Sequence, residues 1–221
     1  MQIAILGGTG HQGPGLALRF AKAGIDVLIG SRQLDKAGRA VNQVTQILQE
    51  LGVQEANRVV ARTNEVAAQQ GEVIFMTVPY PAHRSLLPDI RVDLQGKIFV
   101  DVTVPLVSYK PPRLEFPNGN SAAEEVQHIL GEAVKVVGAF KMTPAPALAA
   151  IDHELASDVL VCGDDDSAKA EVIRLIERIG ARAFDAGPLE HARILEELTA
   201  LLMGLNFRYK RRAIDIRLTG I

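Results

Sequence analysis

Residues 6–15 read LGGTGHQGPG, with glycine at positions 7, 8, 10, 13 and 15. Glycine loses more conformational freedom on folding than any other residue, so such a run marks a tight turn or a place where something must approach the backbone. It follows the short apolar run QIAIL (2–6) and leads into GLALRFAKAG (15–24), where Leu16 and Phe20 are four apart and Gly24 can close a helix. A buried strand, a glycine turn and a helix are expected in that order.

Gly8-Thr9-Gly10-His11-Gln12-Gly13 fits the pattern G-x-G-x-x-G, and the strand before it and helix after it supply the context that gives the pattern meaning. In such a turn the first glycine bends the chain, the second admits a pyrophosphate and the third lets helix meet strand, while the helix N-terminus offers free N–H groups and partial positive charge. A dinucleotide is therefore expected against this loop. Its type is set about 20 residues further on, where an NAD site carries Asp or Glu after the second strand. Here IDVLIG (25–30) ends in Ser31 and Arg32, with Lys36 one turn later. No carboxylate there repels a 2′-phosphate, and a hydroxyl and two cations can hold one. Lys36 in a first helical turn is disfavoured by the helix dipole unless an anion is near. The expected cofactor is NADP(H), with Ser31, Arg32 and Lys36 as the 2′-phosphate cradle.

Further strands are expected at 58–61, 72–78, 97–104, 134–140 and from 158, with helices between most of them. In 35–52 the apolar residues Ala37, Val41, Val44, Leu48 and Leu51 make one helical face. Alternating strand and helix predict an α/β fold: a Rossmann-type, doubly wound, mostly parallel sheet. The segment 105–120 reads as irregular, and SAAE (121–124) as a capping box opening a helix. A long helix over 189–209 carries a wide apolar face with Ile194, Leu195, Leu198, Leu201, Leu202 and Leu205. The expected division is a nucleotide-binding domain over 1–187 and a C-terminal helical extension over 188–221, whose apolar face suits a homodimer seam.

Several classes of function are disfavoured. The net charge of −2 lacks the basic footprint of a nucleic-acid binder. The lone Cys162 excludes an internal disulfide framework. No apolar stretch reaches the roughly 18 residues of a membrane span and no secretory leader is evident, so a cytoplasmic protein is expected. The five histidines (11, 83, 128, 153 and 191) form no i, i+4 pair, which speaks against zinc. Asp164, Asp165 and Asp166 read as the cap and first turn of a helix. Tyr80, Tyr109 and Tyr209 are followed four residues later by Arg84, Arg113 and Ala213, so there is no Tyr-x-x-x-Lys dyad for carbonyl chemistry.

The ordered segments LGGTGHQGPGLALRFAKAG, IGSRQLDKA, MTVP, SAAE, VCGDDD, DAGPL, RILEELTALL and LNFRYK closely resemble the NADPH-dependent coenzyme F420 reductases, or F420H2:NADP oxidoreductases. The resemblance runs from Ile3 to the final IRLTGI. It implies direct hydride transfer between NADP(H) and the deazaflavin F420, two rings held face to face, with no side-chain acid or base required. On matching positions it implies that Thr9, Gly10, His11 and Gln12 line the phosphates. Val78, Pro79 and Tyr80 would flank the ribose and nicotinamide, and Pro144 and Ala145 would lie near the ring-stacking site. Lys141 and Thr143 become candidate acceptor contacts, although 141–143 and 101–120 depart from the archaeal form. Arg208, Lys210, Arg211 and Arg212, in the basic run FRYKRR (207–212), are candidates for attracting the anionic F420 tail. Two other readings remain open at this stage. One is an NADPH-dependent flavin or ferric reductase, since the reductase domains of STEAP metalloreductases share a similar glycine loop and a GSR after the second strand. The other is a non-enzymatic NADPH-sensing protein.

Overall fold

The computed structural model describes residues 1–53, 58–116 and 119–221. Eight strands form one sheet: β1 (Gln2–Leu6), β2 (Asp26–Ser31), β3 (Val59–Thr63), β4 (Val73–Met76), β5 (Ile98–Asp101), β8 (Lys135–Gly138), β9 (Asp158–Gly163) and β10 (Arg182–Asp185). Their spatial order is β10-β9-β8-β5-β4-β1-β2-β3. Every neighbouring pair is parallel except β8 with β9, which meet antiparallel. The expected mostly parallel sheet is therefore present. Its chain order reverses between β1 and β4, the switch point where such sheets open a crevice at their carboxyl ends.

Among the described residues, eight α-helices accompany it: α1 (Gly13–Lys22), α2 (Leu34–Glu50), α3 (Asn64–Gln70), α4 (His83–Ile90), α5 (Ala122–Leu130), α6 (Ala145–Ala149), α7 (Asp166–Arg178) and α8 (Ala192–Arg208). Strand side chains alternate between faces with a period of two. Ile3 and Ile5 join Leu16 and Phe20 of α1, Val44 of α2 and Val172 of α7 in one core. Ala4 and Leu6 join Ala67 of α3, Leu86 of α4, Val126 of α5 and Leu195 of α8 in the other. Both faces are buried, which is why the strands read as continuous apolar runs rather than alternating ones.

Local chemistry places the ends of several elements as read. Ser121 Oγ accepts from Glu124 N at 3.1 Å while Glu124 Oε2 accepts from Ser121 N at 2.7 Å, completing the capping box of α5. Asp165 caps α7 by accepting from Ala168 N at 2.8 Å. Other limits move. The expected strand 97–104 stops at Asp101, whose Oδ1 accepts from Thr103 N and Thr103 Oγ1 and so turns the chain. The strand expected over 134–140 stops at Gly138, because Phe140 adopts the left-handed φ of 55°. The segment read as irregular contains a hairpin, β6 (Leu106–Tyr109) with β7 (Pro112–Leu114). Its last residues include 117 and 118, which lie outside the described residues. No helix among the described residues is long and apolar enough to cross a membrane.

Candidate functional site

The glycine turn lies over the switch point. Gly7 takes the left-handed φ of 68°, and Gly10 N donates to Gly7 O at 3.0 Å. The tight bend therefore falls on Gly7 rather than on Gly8. Gly8 is needed for approach: a Cβ there would stand 2.9 Å from Ile5 O and 3.0 Å from Ile29 Cγ2. Its N–H donates to Gly30 O at 3.0 Å, which binds the loop to the end of β2. At Gly13 a Cβ would collide with the Gly8 backbone at 2.4 Å, so this glycine lets the helix meet the loop. Gly10 differs. The nearest atoms to a Cβ there are Gly7 O at 3.4 Å and Thr77 O at 3.9 Å, ordinary contact distances. The fold itself does not demand glycine at position 10, and the open space is what a pyrophosphate needs. The N-terminus of α1 has no side-chain cap and no acidic residue in its first turn. Its leading amides have no intrahelical acceptors and remain available to an anion.

Ser31 ends β2 beside this loop and is nearly buried, its Oγ accepting from Gln33 N at 3.3 Å. Arg32 and Lys36 stand exposed at the start of α2. The three residues read as a 2′-phosphate cradle are thus gathered at the carboxyl end of β2. The chemistry of this donor set, one hydroxyl and two exposed cations with no carboxylate among the three, fits a phosphate.

A cavity of about 700 Å³ runs on from the loop. Gly10, His11 and Gln12 line its mouth, followed by Thr77, Val78, Pro79 and Tyr80 from the chain leaving β4. Lys141, Thr143, Pro144 and Ala145 line it from the segment after β8. Its remaining lining includes residues that were not expected there, Leu106 and Tyr109 of the β6–β7 hairpin, Met203 and Phe207 of α8 and Ile214 beyond it, together with Arg212 of the basic run. Phe207 lies inside that same run, so a signal for it was present. Arg208 and Lys210 stand exposed and do not line the cavity; within the run it is Arg212 that reaches it.

Lys141 has a different surrounding from the one expected of an acceptor contact. Its side chain is fully buried, and Nζ donates at 2.8 Å to Asp101 Oδ2, Thr103 O and Glu196 Oε1. All three N–H bonds of the ammonium are occupied, so none is left for a ligand. Burial alone would lower the Lys141 pKa, but the two carboxylates outweigh it and hold the ammonium charged. Burial pushes Asp101 up, and the Lys141 ammonium, with the hydrogen bonds from Lys141 and Thr103, more than reverses this, leaving it below the usual carboxylate range. Glu196 goes the other way: burial raises it, and Lys141 only partly offsets that. Glu196 Oε2 also accepts from Ala122 N at 3.1 Å.

Tyr80 OH donates to Glu125 Oε2 at 2.6 Å, and burial together with that carboxylate raises its pKa. It is held as a neutral phenol. Cys162 is buried, its Sγ 3.7 Å from Gly138 O, and burial pushes the thiol up to about 11, which makes it a poor nucleophile.

Residues 2–105 match the family described as NADP oxidoreductase, coenzyme F420-dependent. The chain is 44 % identical to the F420-dependent NADP reductase of Methanocaldococcus jannaschii, over 100 % of this chain and 99 % of that protein. A crystal structure from Arthrobacter sp. FB24, provisionally described as an F420-dependent NADP-reductase, superposes with a TM-score of 0.84 at 26 % identity, covering 100 % of both chains. The metalloreductase STEAP3 of Rattus norvegicus is 30 % identical over 91 % of this chain, which spans only 37 % of that protein.

Proposed function

This chain belongs to the F420-dependent NADP oxidoreductase family, and from that premise we infer that it is an enzyme passing hydride directly between NADP(H) and coenzyme F420. The balanced reaction is NADPH + F420 + H⁺ giving NADP⁺ + F420H2, with hydride moving between nicotinamide C4 and deazaflavin C5. The observation that carries the reading is one cavity of about 700 Å³ lined both by the glycine loop (Gly10, His11, Gln12) and by a largely apolar set including Val102, Leu106, Met142, Leu202 and Met203. A nicotinamide laid along Val78, Pro79 and Tyr80 leaves that apolar part for a second planar ring.

The residues then have distinct tasks. The α1 amides and Gly10 hold the pyrophosphate, with Thr9, His11 and Gln12 around it. Ser31, Arg32 and Lys36 hold the 2′-phosphate. Pro144 and Ala145 form a flat wall with no titratable group, suited to ring stacking. Leu106 and Met203, half-buried, add apolar surface beside the reacting face. No side chain supplies a proton at the carbon centres, because transfer between two stacked rings depends on proximity and orientation. Arg212, with Arg208 and Lys210 nearby, would attract the anionic tail of F420.

Ile194, Leu201, Phe207 and Tyr209 are large apolar residues exposed on or just after α8. They support the finer reading of a homodimer in which the 188–221 extension, packed on the 1–187 domain, forms the seam; a cytoplasmic location belongs to the same proposal. Likeness to STEAP3 favours a second reading, reduction of a ferric chelate or flavin. One experiment separates the two: purified protein with NADPH should bleach oxidised F420 without added flavin. Brisk reduction of ferric chelate or free flavin with F420 untouched would overturn the first reading in favour of the second.

A further inference from the structure

The helix that faces the pyrophosphate is fastened along its length to the wall of the acceptor chamber. At its start, Gln12 Nε2 donates to Thr143 O at 3.1 Å and to Phe140 O at 3.3 Å. Phe140 has the left-handed φ of 55°, a conformation that a bulky residue holds only where its surroundings impose it. One turn on, Gly15 packs so tightly that a Cβ would stand 2.7 Å from Leu148 Cβ. In the next turn Arg19, only 5 % exposed, donates through Nε to Leu148 O at 2.9 Å. Its Nη2 lies 2.8 Å from Ala147 O, 2.9 Å from Ala150 O and 3.2 Å from His153 O.

These carbonyls are an unusual target. They belong to α6 and the chain just after it, and α6 has five residues. A helix that short is unstable alone, and its last carbonyls have no intrahelical donors. A guanidinium has the planar fork and permanent charge to satisfy several of them at once and to oppose the negative end of the helix. The same short helix presents Ala145 and Pro146 to the cavity, with Pro144 immediately before it. Arg19 itself does not line the cavity.

We propose that Arg19 is a positioning residue for hydride transfer: it clamps the carbonyls of 147–153 and so fixes the Pro144–Pro146 wall relative to the helix that holds the pyrophosphate. The inference rests on the hydride-transfer reading for its chemical consequence, and on the hydrogen bonds alone for the clamp. A lysine at 19 keeps the charge but offers one compact donor group, which cannot serve Leu148 and the three acceptors around Nη2 together. A methionine keeps much of the packing volume and no donor.

The test compares wild type with Arg19→Lys and Arg19→Met, the lysine variant serving if the methionine one fails to fold. Three quantities are read: NADPH affinity by titration, amide hydrogen exchange of 145–153 in NADP⁺-saturated protein, and the single-turnover rate of F420 reduction with 4-deuterated and ordinary NADPH. The expected result is NADPH affinity within about threefold of wild type and roughly tenfold faster exchange in 145–153. Transfer should be about tenfold slower in Arg19→Met and intermediate in Arg19→Lys, its isotope effect rising as transfer becomes limiting. A transfer rate and isotope effect equal to wild type in the folded variants would reduce Arg19 to a stabilising residue and overturn the proposal, as would unchanged exchange in 145–153. A wild-type protein that binds NADPH yet leaves F420 oxidised would instead sink the hydride-transfer reading, and the exchange measurement would still decide the clamp.

Discussion

Lys141 Nζ lies 2.8 Å from Glu196 Oε1, with both side chains fully buried, so an ion pair joins the chain after β8 to the middle of α8. The same nitrogen is 2.8 Å from Asp101 Oδ2 at the end of β5. Three elements that wall the acceptor chamber meet at one ammonium. Removing it would leave two carboxylates facing each other out of water.

Lys141→Met should therefore destabilise the protein by about 3–5 kcal/mol, the usual cost of an uncompensated buried charge. Chemical denaturation at neutral pH measures this. A loss below about 1 kcal/mol would show that water reaches the carboxylates.

The two carboxylates predict different pH behaviour. Glu196 has its folded pKa raised above 4.5, chiefly by burial. Its contribution to stability is thus fully present below about pH 4.5 and is lost as pH rises through the folded value. Asp101 is lowered from 3.8, so its contribution is present above that value and disappears as pH falls through the folded one. Glu196→Gln should remove the first effect. Relative to wild type, the variant should gain unfolding free energy as pH rises from about 4.5 toward neutrality. Parallel stability curves across that window would contradict the assignment.

The glycines at 10 and 13 should separate binding from folding. Gly10→Val should abolish NADPH binding with the fold largely intact, because the protein leaves room there and the pyrophosphate does not. Gly13→Ala should lower thermal stability, since its Cβ meets the Gly8 backbone at 2.4 Å. Tight NADPH binding by folded Gly10→Val would remove the loop from the cofactor site.

Cofactor choice is assigned to the end of β2. A charge-assisted bond to phosphate is worth roughly 1.5–3 kcal/mol. Arg32→Ala should weaken NADPH about 10- to 100-fold and leave NADH nearly unchanged. Equal losses for both, measured by titration, would move the 2′-phosphate elsewhere.

The nucleotide half of the site is legible in the sequence because its parts are local. Strand, glycine turn, helix and Ser31-Arg32 fall within one stretch of about 35 residues, where spacing alone fixes their relation. The acceptor half is not local. Leu106, Tyr109, Met203 and Arg212 converge only through the fold. Lys141 reads as a free cation because its partners stand 40 and 55 residues away, and nothing in the adjacent sequence announces two buried carboxylates. Gln12 reads as a phosphate contact from its place in the loop, yet its amide also points into the 140–143 turn. Arg19 sits on the buried side of α1 beside Leu16 and Phe20, where its neighbours read simply as core. The hairpin at 106–114 has too few residues for periodicity to separate it from a loop.

Direct hydride passage between two rings in one cavity can be followed with a label on the transferred atom itself. NADPH stereospecifically deuterated at C4 is mixed with oxidised F420 and excess protein, and the product is analysed by mass spectrometry and NMR. One of the two C4 epimers should deliver its deuterium wholly to C5 of the deazaflavin, while the other retains it in NADP⁺. Deuterium lost to solvent, or delivered equally from both epimers, would contradict direct passage.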